Sequence, residues 1–353
     1  MPTQYRDGAS SAPGTHRRAT ACVLLRMVVL FCGTAACVSL LPAAAQVPAD
    51  AARPSTPAIT LIVPSDESGA AARIAGIVAD ALTRAAHAPV RVKYIPGVAG
   101  VTGTNAIAAA APDGMTLGLA LSTPMIGAKL LSRAARYNPL DDFDWLALFG
   151  TYGNALVVRA DNPAKSFAGW LASARASPNA LRYGTGGIAS AAHIAGEYLH
   201  VDQHANLVHV PFEAASQEYA ALASDDIDAL IDALPSARVA ADARQFRVLA
   251  VTSSARDSAL PGVPAFAEMW PGRQFEMWAG IVAPAHLPAA AHAQVAAAVT
   301  AMLADAGFAR RLTDAGLTWR GLSAADTGVF IRDDIVRMAR QIGDMAIQPA
   351  PSP

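Results

Sequence analysis

The chain has 353 residues, 27 Lys and Arg against 28 Asp and Glu for a net charge of −1, and 53% hydrophobic residues. Such a length exceeds what a single core fills and favours two lobes, and the balanced charge offers no basic face for nucleic acid. All three cysteines, Cys22, Cys32 and Cys37, fall within residues 1–45. The remainder is therefore without disulfides, thiolate metal sites or cysteine nucleophiles.

Those first residues read as an export signal. Arg17 and Arg18 precede an apolar run at 19–41, and Ala43, Ala44 and Ala45 supply an A-x-A cleavage site before Gln46. Arg26 interrupts the run, which argues for a cleaved leader over a retained span. A twin-arginine signal and a lipoprotein site at Cys37 are the alternatives. Cleavage near Ala45/Gln46 would remove Arg6, Arg17, Arg18, Arg26 and Asp7, leave a net charge of −4, and deliver the protein to the periplasm.

Beyond the leader, strand and helix patterns alternate. Residues 59–63 read as a buried strand, and Ile74, Ile77, Val78, Ala81 and Leu82 form one helical stripe. A strand at 90–95, a small-residue helix at 102–110, an APDG turn at 111–114 and a strand at 116–121 follow. A second run has strands at 156–159, 181–185, 207–212, 227–232 and 247–252, with helices at 167–176, 190–200, 216–223 and 235–244. Pro235 suits the first helical turn, where its missing amide would be unpaired anyway. After the proline-rich 260–264 comes a strand at 277–282, and the chain ends in helices. Repeated strand, helix, strand units argue for an α/β fold of mostly parallel sheets flanked by helices. The expected division is 46–155 for the first part of lobe 1, 156–254 for lobe 2, and 255–353 returning to lobe 1.

In open parallel sheets ligands bind beyond the carboxyl ends of the strands. Four such ends carry small or polar residues: the 63–70 loop with Ser65, Asp66, Ser68 and Gly69; Ser122 and Thr123; the 183–197 segment; and Asp232. The segment YGTGGIASAAHIAGE runs a strand through Thr185, Gly186 and Gly187 into a helix capped by Ser190, with His193 one turn in. Unpaired amides at such a helix start, with the positive end of the macrodipole, receive an anionic or dipolar ligand group. Each residue also has a plainer reading: the glycines as turn geometry, Ser190 as a cap, His193 as a packed histidine, Asp232 as part of the next helix start. Ser190 lacks nucleophile-elbow spacing, His193 and Glu197 alone make a weak metal pair, and GTGG lacks the dinucleotide spacing. No catalytic residue, metal or cofactor is called for.

The order of ITLIVPS with Gly69, IPGVAGVTGTNAIAAAAPDGMTL, LRYGTGGIASAAHIAGE, VHVPF, DALIDALPSA, LAVTSSARDSALPGVPAFAE and GIVAPAHLP resembles the substrate-binding receptors of tripartite tricarboxylate transporters, the Bug family. The resemblance implies a two-lobed, type II periplasmic binding protein of the Venus-flytrap kind. It implies a receptor, expected as a monomer, that captures a small organic acid and passes it to a membrane permease, without catalysis. Carried onto this chain, the ligand contacts are the 63–70 loop, Ser122, Thr123, the 185–190 turn, His193, Phe212 and Asp232. A receptor feeding a periplasmic sensor and an exported hydrolase are the alternative functions, the latter disfavoured.

The chain departs from the family pattern in its first loop, Ser65-Asp66-Glu67-Ser68, and in Val210-Pro211-Phe212-Glu213-Ala214 where the family has VPYKG. Asp66, Glu67 and Glu213 either face the cleft and favour a monocarboxylate, a zwitterion or an amide over citrate-like trianions, or sit at its rim and alter only the approach rate. Closure is expected as a hinge near 153–156 and 253–280.

Overall fold

The computed structural model describes residues 58–347; the expected export signal and the three cysteines lie outside them. The first lobe begins with β1 (Ile59–Val63), α1 (Gly69–Ala86), β2 (Val90–Tyr94), α2 (Val101–Ala108) and β3 (Thr116–Leu121). A π-helical turn, Thr123–Gly127, and α3 (Ala128–Leu131) lead to the 17-residue β4 (Phe143–Arg159). The chain continues through α4 (Phe167–Ala176), β5 (Leu181–Thr185), α5 (Ala191–Val201), β6 (Leu207–Pro211), α6 (Ala215–Ala223), β7 (Ala229–Ala233), α7 (Leu234–Asp242) and β8 (Phe246–Val251). It then passes α8 (Phe266–Met269), β9 (Glu276–Pro284), α9 (Ala289–Leu303), α10 (Ala306–Asp314), β10 (Thr318–Leu322) and α11 (Ala324–Asp344).

The strands follow the order β2-β1-β3-β9-β4-β7-β5-β6, with β8 and β10 also pairing with β4. One strand serves both lobes. The first part of β4 runs beside β9, from Phe143 opposite Pro284 to Gly153 opposite Glu276. From Asn154 onward it pairs with β7 and β8 instead. The sheet is thus mixed. β1 is parallel to β2 and β3, and β5 is parallel to β6 and β7. The middle is antiparallel, because β4 leads out of the first lobe and β9 leads back along it. An all-parallel arrangement needs every crossover to stay within one lobe, and these two do not.

Helix α1 shows why the elements sit where they do. Ile74, Val78 and Leu82 are fully buried on one stripe, and full burial of each such side chain contributes roughly 1.5–3 kcal/mol. Its C-cap residue His87 takes a left-handed conformation with φ 50°, which ends the helix as a glycine usually would. In the second lobe, the Ser166 hydroxyl accepts from the Gly169 N–H to start α4. Helix α11 is pinned to β9 at Asp334, which accepts from Trp278 Nε1 at 2.8 Å and is ion-paired with Arg337. Two sequence expectations fell short here. Residues 143–155 extend a strand expected only at 156–159, and β10 interrupts the expected helical C-terminus.

Candidate ligand-binding cleft

Between the lobes lies a cavity of about 140 Å³. The first lobe lines it with Ser65, with Gly97, Ala99 and Gly100 from the turn before α2, and with Ser122 and Thr123 after β3. Tyr152 on β4 and Met277 on β9 form its floor, and Gly186 and Glu213 close it from the second lobe. Ser122 is 1% exposed and its Oγ has no hydrogen-bond partner. A buried hydroxyl left open in this way costs stability unless a ligand or water completes it.

The lobes touch on both sides of this space. A Cβ on Gly69, where φ is +70°, would lie 2.8 Å from Ala215 Cβ of the second lobe and 3.5 Å from Ser236 Oγ. On the other side, Ala99 Cβ lies 3.7 Å from the position a Gly187 Cβ would take. A larger depression of about 460 Å³ runs between α1, β3 and α9, and its walls are chiefly alanine, leucine and valine side chains. It brings no converging donors together, so the chemistry favours the smaller cavity.

The turn from β5 into α5 is held largely by its own hydrogen bonds. Thr185 Oγ1 accepts from Gly187 N–H at 3.3 Å and meets His209 Nε2 at 2.6 Å. Ser190 Oγ donates to Gly187 O and accepts from His193 N–H, at 2.8 and 3.0 Å. The Ser190 hydroxyl is thereby committed as a cap. His193 Nδ1 accepts from Ala189 N–H at 3.1 Å, which leaves the ring proton on Nε2, 3.6 Å from Glu197 Oε1. Its ring stacks on His209 with centroids 3.9 Å apart. Burial, with the His193 ring beside it, holds His209 down at a pKa of about 3. Burial alone would raise the Glu197 pKa, but hydrogen bonds from His193 and Tyr183 outweigh it and hold the carboxyl low.

Carboxyl groups gather on the second-lobe side. Glu218, on α6, is 2% exposed, and its Oε1 lies 3.2 Å from where a Cβ on Gly186 would be. Its Oε2 has no partner. Asp232, at the end of β7, is 8% exposed and accepts from its neighbour's N–H, Ala233, at 2.6 Å, while its Oδ2 is unpartnered. The hydroxyls of Tyr219 and Ser236 lie near Asp232 without closing a well-formed hydrogen bond to it. Burial pushes Asp232 up to about 6 despite the Ala233 N–H and those hydroxyls. Burial, then the charges of Asp232 and Asp66, raise Glu218 well above the usual carboxylate range.

Of the residues expected from sequence, Ser65, Ser122, Thr123 and Gly186 line the cavity. Asp66 folds onto its own loop, accepting from Ser68 Oγ at 2.7 Å. Gly69 meets the second lobe, and Thr185, Gly187, Ser190 and His193 shape the β5–α5 turn. Phe212 packs near Gly184, beneath that turn, and Asp232 sits buried beside Ser236. Glu213 lines the cavity, whereas Glu67 is exposed. Sequence reasoning passed over Gly97, Ala99, Gly100, Tyr152, Met277 and Glu218. A signal existed for Glu218: it shares the three-and-four spaced stripe of α6 with the buried Ala221 and Leu222.

A two-lobed α/β fold with a small cavity at the lobe junction, with hydroxyls on its wall, defines a periplasmic binding protein of the Venus-flytrap class. Among solved structures, the periplasmic binding protein BugD superposes with a TM-score of 0.77 at 21% identity, covering 82% of this chain and 98% of that one. An R. palustris protein solved with adipate gives 0.78 at 24% identity, covering 83% of this chain and 98% of that one. A Pseudomonas sp. UPF0065 protein from a tcbD-tcbE intergenic region is 30% identical over 270 residues, 76% of this chain and 80% of that protein. The family model described as "Tripartite tricarboxylate transporter family receptor" matches residues 74–347. The chain belongs to that family, the Bug receptors. Among the described residues no helix is long and apolar enough to cross a membrane, and no group of three His, Cys, Asp or Glu side chains is placed to hold a metal.

Proposed function

We propose that this chain is a periplasmic receptor that captures a small carboxylate-bearing metabolite between its lobes and presents it to a tripartite tricarboxylate-type permease. The observation that carries this reading is the interlobe cavity, with the hydroxyls of Ser65, Ser122 and Thr123 on one wall and Gly186 on the other. Hydroxyls and turn amides bind carboxylate oxygens by charge-assisted hydrogen bonds. The adipate held by the R. palustris neighbour supports a carboxylate as the guest. The lobes are assigned as 46–155 with 255–353, and 156–254, with export by the N-terminal signal. The ligand contacts are assigned to Ser65, Ser122, Thr123 and Gly186, with the β5–α5 turn behind them. Turnover is not expected, since Ser190 Oγ is occupied by Gly187 and His193 main-chain groups.

A thermal-shift panel of mono-, di- and tricarboxylates and amino acids tests the reading. A ligand at 100 times its Kd stabilises the folded state by about 2.7 kcal/mol, a clear rise in melting temperature. If no carboxylate of the panel shifts the melt, and protein purified without refolding carries no small acid by native mass spectrometry, the reading is wrong.

A further inference from the structure

We propose that the cleft holds a second subsite, formed by Glu218 with Asp232 behind Gly186, that takes a ligand's ammonium group. The guest is then an amino-carboxylate, and dicarboxylates of the same length are rejected. The inference rests on the carboxylate-receptor reading above and narrows its substrate class.

The geometry carries it in three steps. Glu218 is not itself on the cavity wall but packs against a wall residue that has no side chain: its Oε1 is 3.2 Å from the point where a Gly186 Cβ would stand. Two oxygens there are buried without a well-formed hydrogen bond, Glu218 Oε2 and Asp232 Oδ2, the latter with the Tyr219 and Ser236 hydroxyls nearby. Across the cavity, from the other lobe, Ser122 Oγ is likewise buried and unpartnered. The two walls therefore leave complementary groups open: on one side the Ser122 hydroxyl, which can donate to a carboxylate, and on the other carboxyl oxygens that can accept from an ammonium group.

Charge points the same way. The cavity wall includes Glu213, and no Lys or Arg lines it. Asp66, on the facing loop, is close enough to Glu218 to raise its pKa. A second carboxylate on the guest would enter a field with no cation to offset it, in a site where burial strengthens like-charge repulsion. An ammonium group supplies donors to the open oxygens and offsets the charge in one step. A metal ion would do the same, but the described residues place no three metal-ligating carboxyl or imidazole groups together.

Matched probes test this. Binding is measured by calorimetry for two sets that differ only at one end, adipate, 5-aminopentanoate and pentanoate, and succinate, β-alanine and propionate, and for L-norvaline and L-alanine, which carry the ammonium on the α-carbon of the same pentanoate and propionate. At least one aminated probe should bind tenfold or more tightly than its dicarboxylate counterpart. Glu218→Gln should cost that probe tenfold or more while changing the affinity of the simple monocarboxylate less than threefold. Repeating the titration in buffers of different ionisation enthalpy should show proton release on binding the aminated probe, as the ammonium ionises the pair. Asp232→Asn serves as a second variant should Glu218→Gln fold poorly, and the wild-type comparison stands without either. Dicarboxylates that bind as tightly as their aminated counterparts, or a preference that survives both substitutions, overturn the subsite but leave the receptor reading intact. Failure of every probe, aminated or not, to bind overturns the subsite together with the receptor reading on which it rests.

Discussion

The backbone N–H of Asn154 donates to Thr252 Oγ1 at 2.8 Å, and that hydroxyl donates in turn to Phe275 O at 2.6 Å. Asn154 Nδ2 also donates to Phe275 O, at 3.1 Å, and the Thr252 N–H returns to Asn154 O at 2.8 Å. Thr252 and Asn154 are both 0% exposed. The knot ties together the three places where chain passes between lobes: β4, the end of β8, and the entry to β9. It sits where β4 changes partner, from Glu276 opposite Gly153 to Ala233 opposite Asn154.

Thr252→Val keeps the shape but deletes the hydroxyl, leaving the Asn154 N–H buried without its acceptor, while Phe275 O keeps only the Asn154 Nδ2 donor. The expected loss is about 1–3 kcal/mol of unfolding free energy, the desolvation cost of orphaned groups. Urea denaturation should show it as a lower midpoint with unchanged slope. A slope change instead would mean that the knot sets the shape of the unfolded or folded ensemble and not simply its stability.

Gly69 governs how near the lobes come. It adopts φ +70° at the start of α1, and a Cβ there would stand 2.8 Å from Ala215 Cβ. Gly69→Ala therefore adds backbone strain of about 1 kcal/mol and holds the first-lobe loop away from α6. Ligand affinity should fall at least tenfold, and the compaction that a bound guest produces in small-angle scattering should shrink. Unchanged affinity would show that the loop and α6 need not meet for capture.

Much of this architecture could be read from the residues, for identifiable reasons. Helices α1 and α4 announce themselves because apolar side chains recur at the helical period and Ser166 caps the latter. The first part of β4 was hidden because Gly150, Gly153 and Asn154 are poor strand formers. They are there for close approach: a Cβ on Gly153 would lie 2.9 Å from both Ser253 N and Ser253 Cβ. In the cleft, the hydroxyls at strand ends were legible from the rule that ligands lie beyond strand termini, whereas Tyr152 and Met277 reach the cavity from mid-sheet, where no local pattern marks them. Whether Glu213 faced inward depended on how the lobes meet, which no single segment encodes.

The stacked imidazoles give a pH signature. His209 has a folded-state pKa of about 3 against 6.5 for the unfolded chain. The unfolded state therefore binds its proton first as pH falls, so stability is full above about pH 6.5 and declines toward pH 3, with a ceiling of roughly 4–5 kcal/mol. Asp232, raised from 3.8 to about 6, acts oppositely: the folded carboxyl protonates first, and stability rises as pH falls from about 6 to 4. His209→Gln keeps a polar partner for Thr185 while removing the titration. Melting curves of wild type and variant should diverge progressively below pH 6.5, the variant losing less. Parallel curves would place the acid sensitivity elsewhere.

The buried acid pair should cost the empty receptor stability that its neutral isosteres recover. Glu218 and Asp232 each leave an oxygen unpartnered away from water, and an uncompensated buried charge is strongly destabilising. Glu218→Gln should therefore raise the unfolding free energy of ligand-free protein by about 1–3 kcal/mol at pH 8. The sign follows from the raised pKa of Glu218. The burden is absent below the ordinary carboxyl pKa of 4.5, where folded and unfolded chains are both protonated, and grows as pH rises toward the raised folded value, so the variant's advantage should vanish by about pH 4. A variant less stable than wild type at pH 8 would mean that the carboxyl is held by a partner worth more than its desolvation. A gain that persists unchanged to pH 4 would trace instead to packing or to the amide's own hydrogen bonds, since protonation would already have relieved the charge.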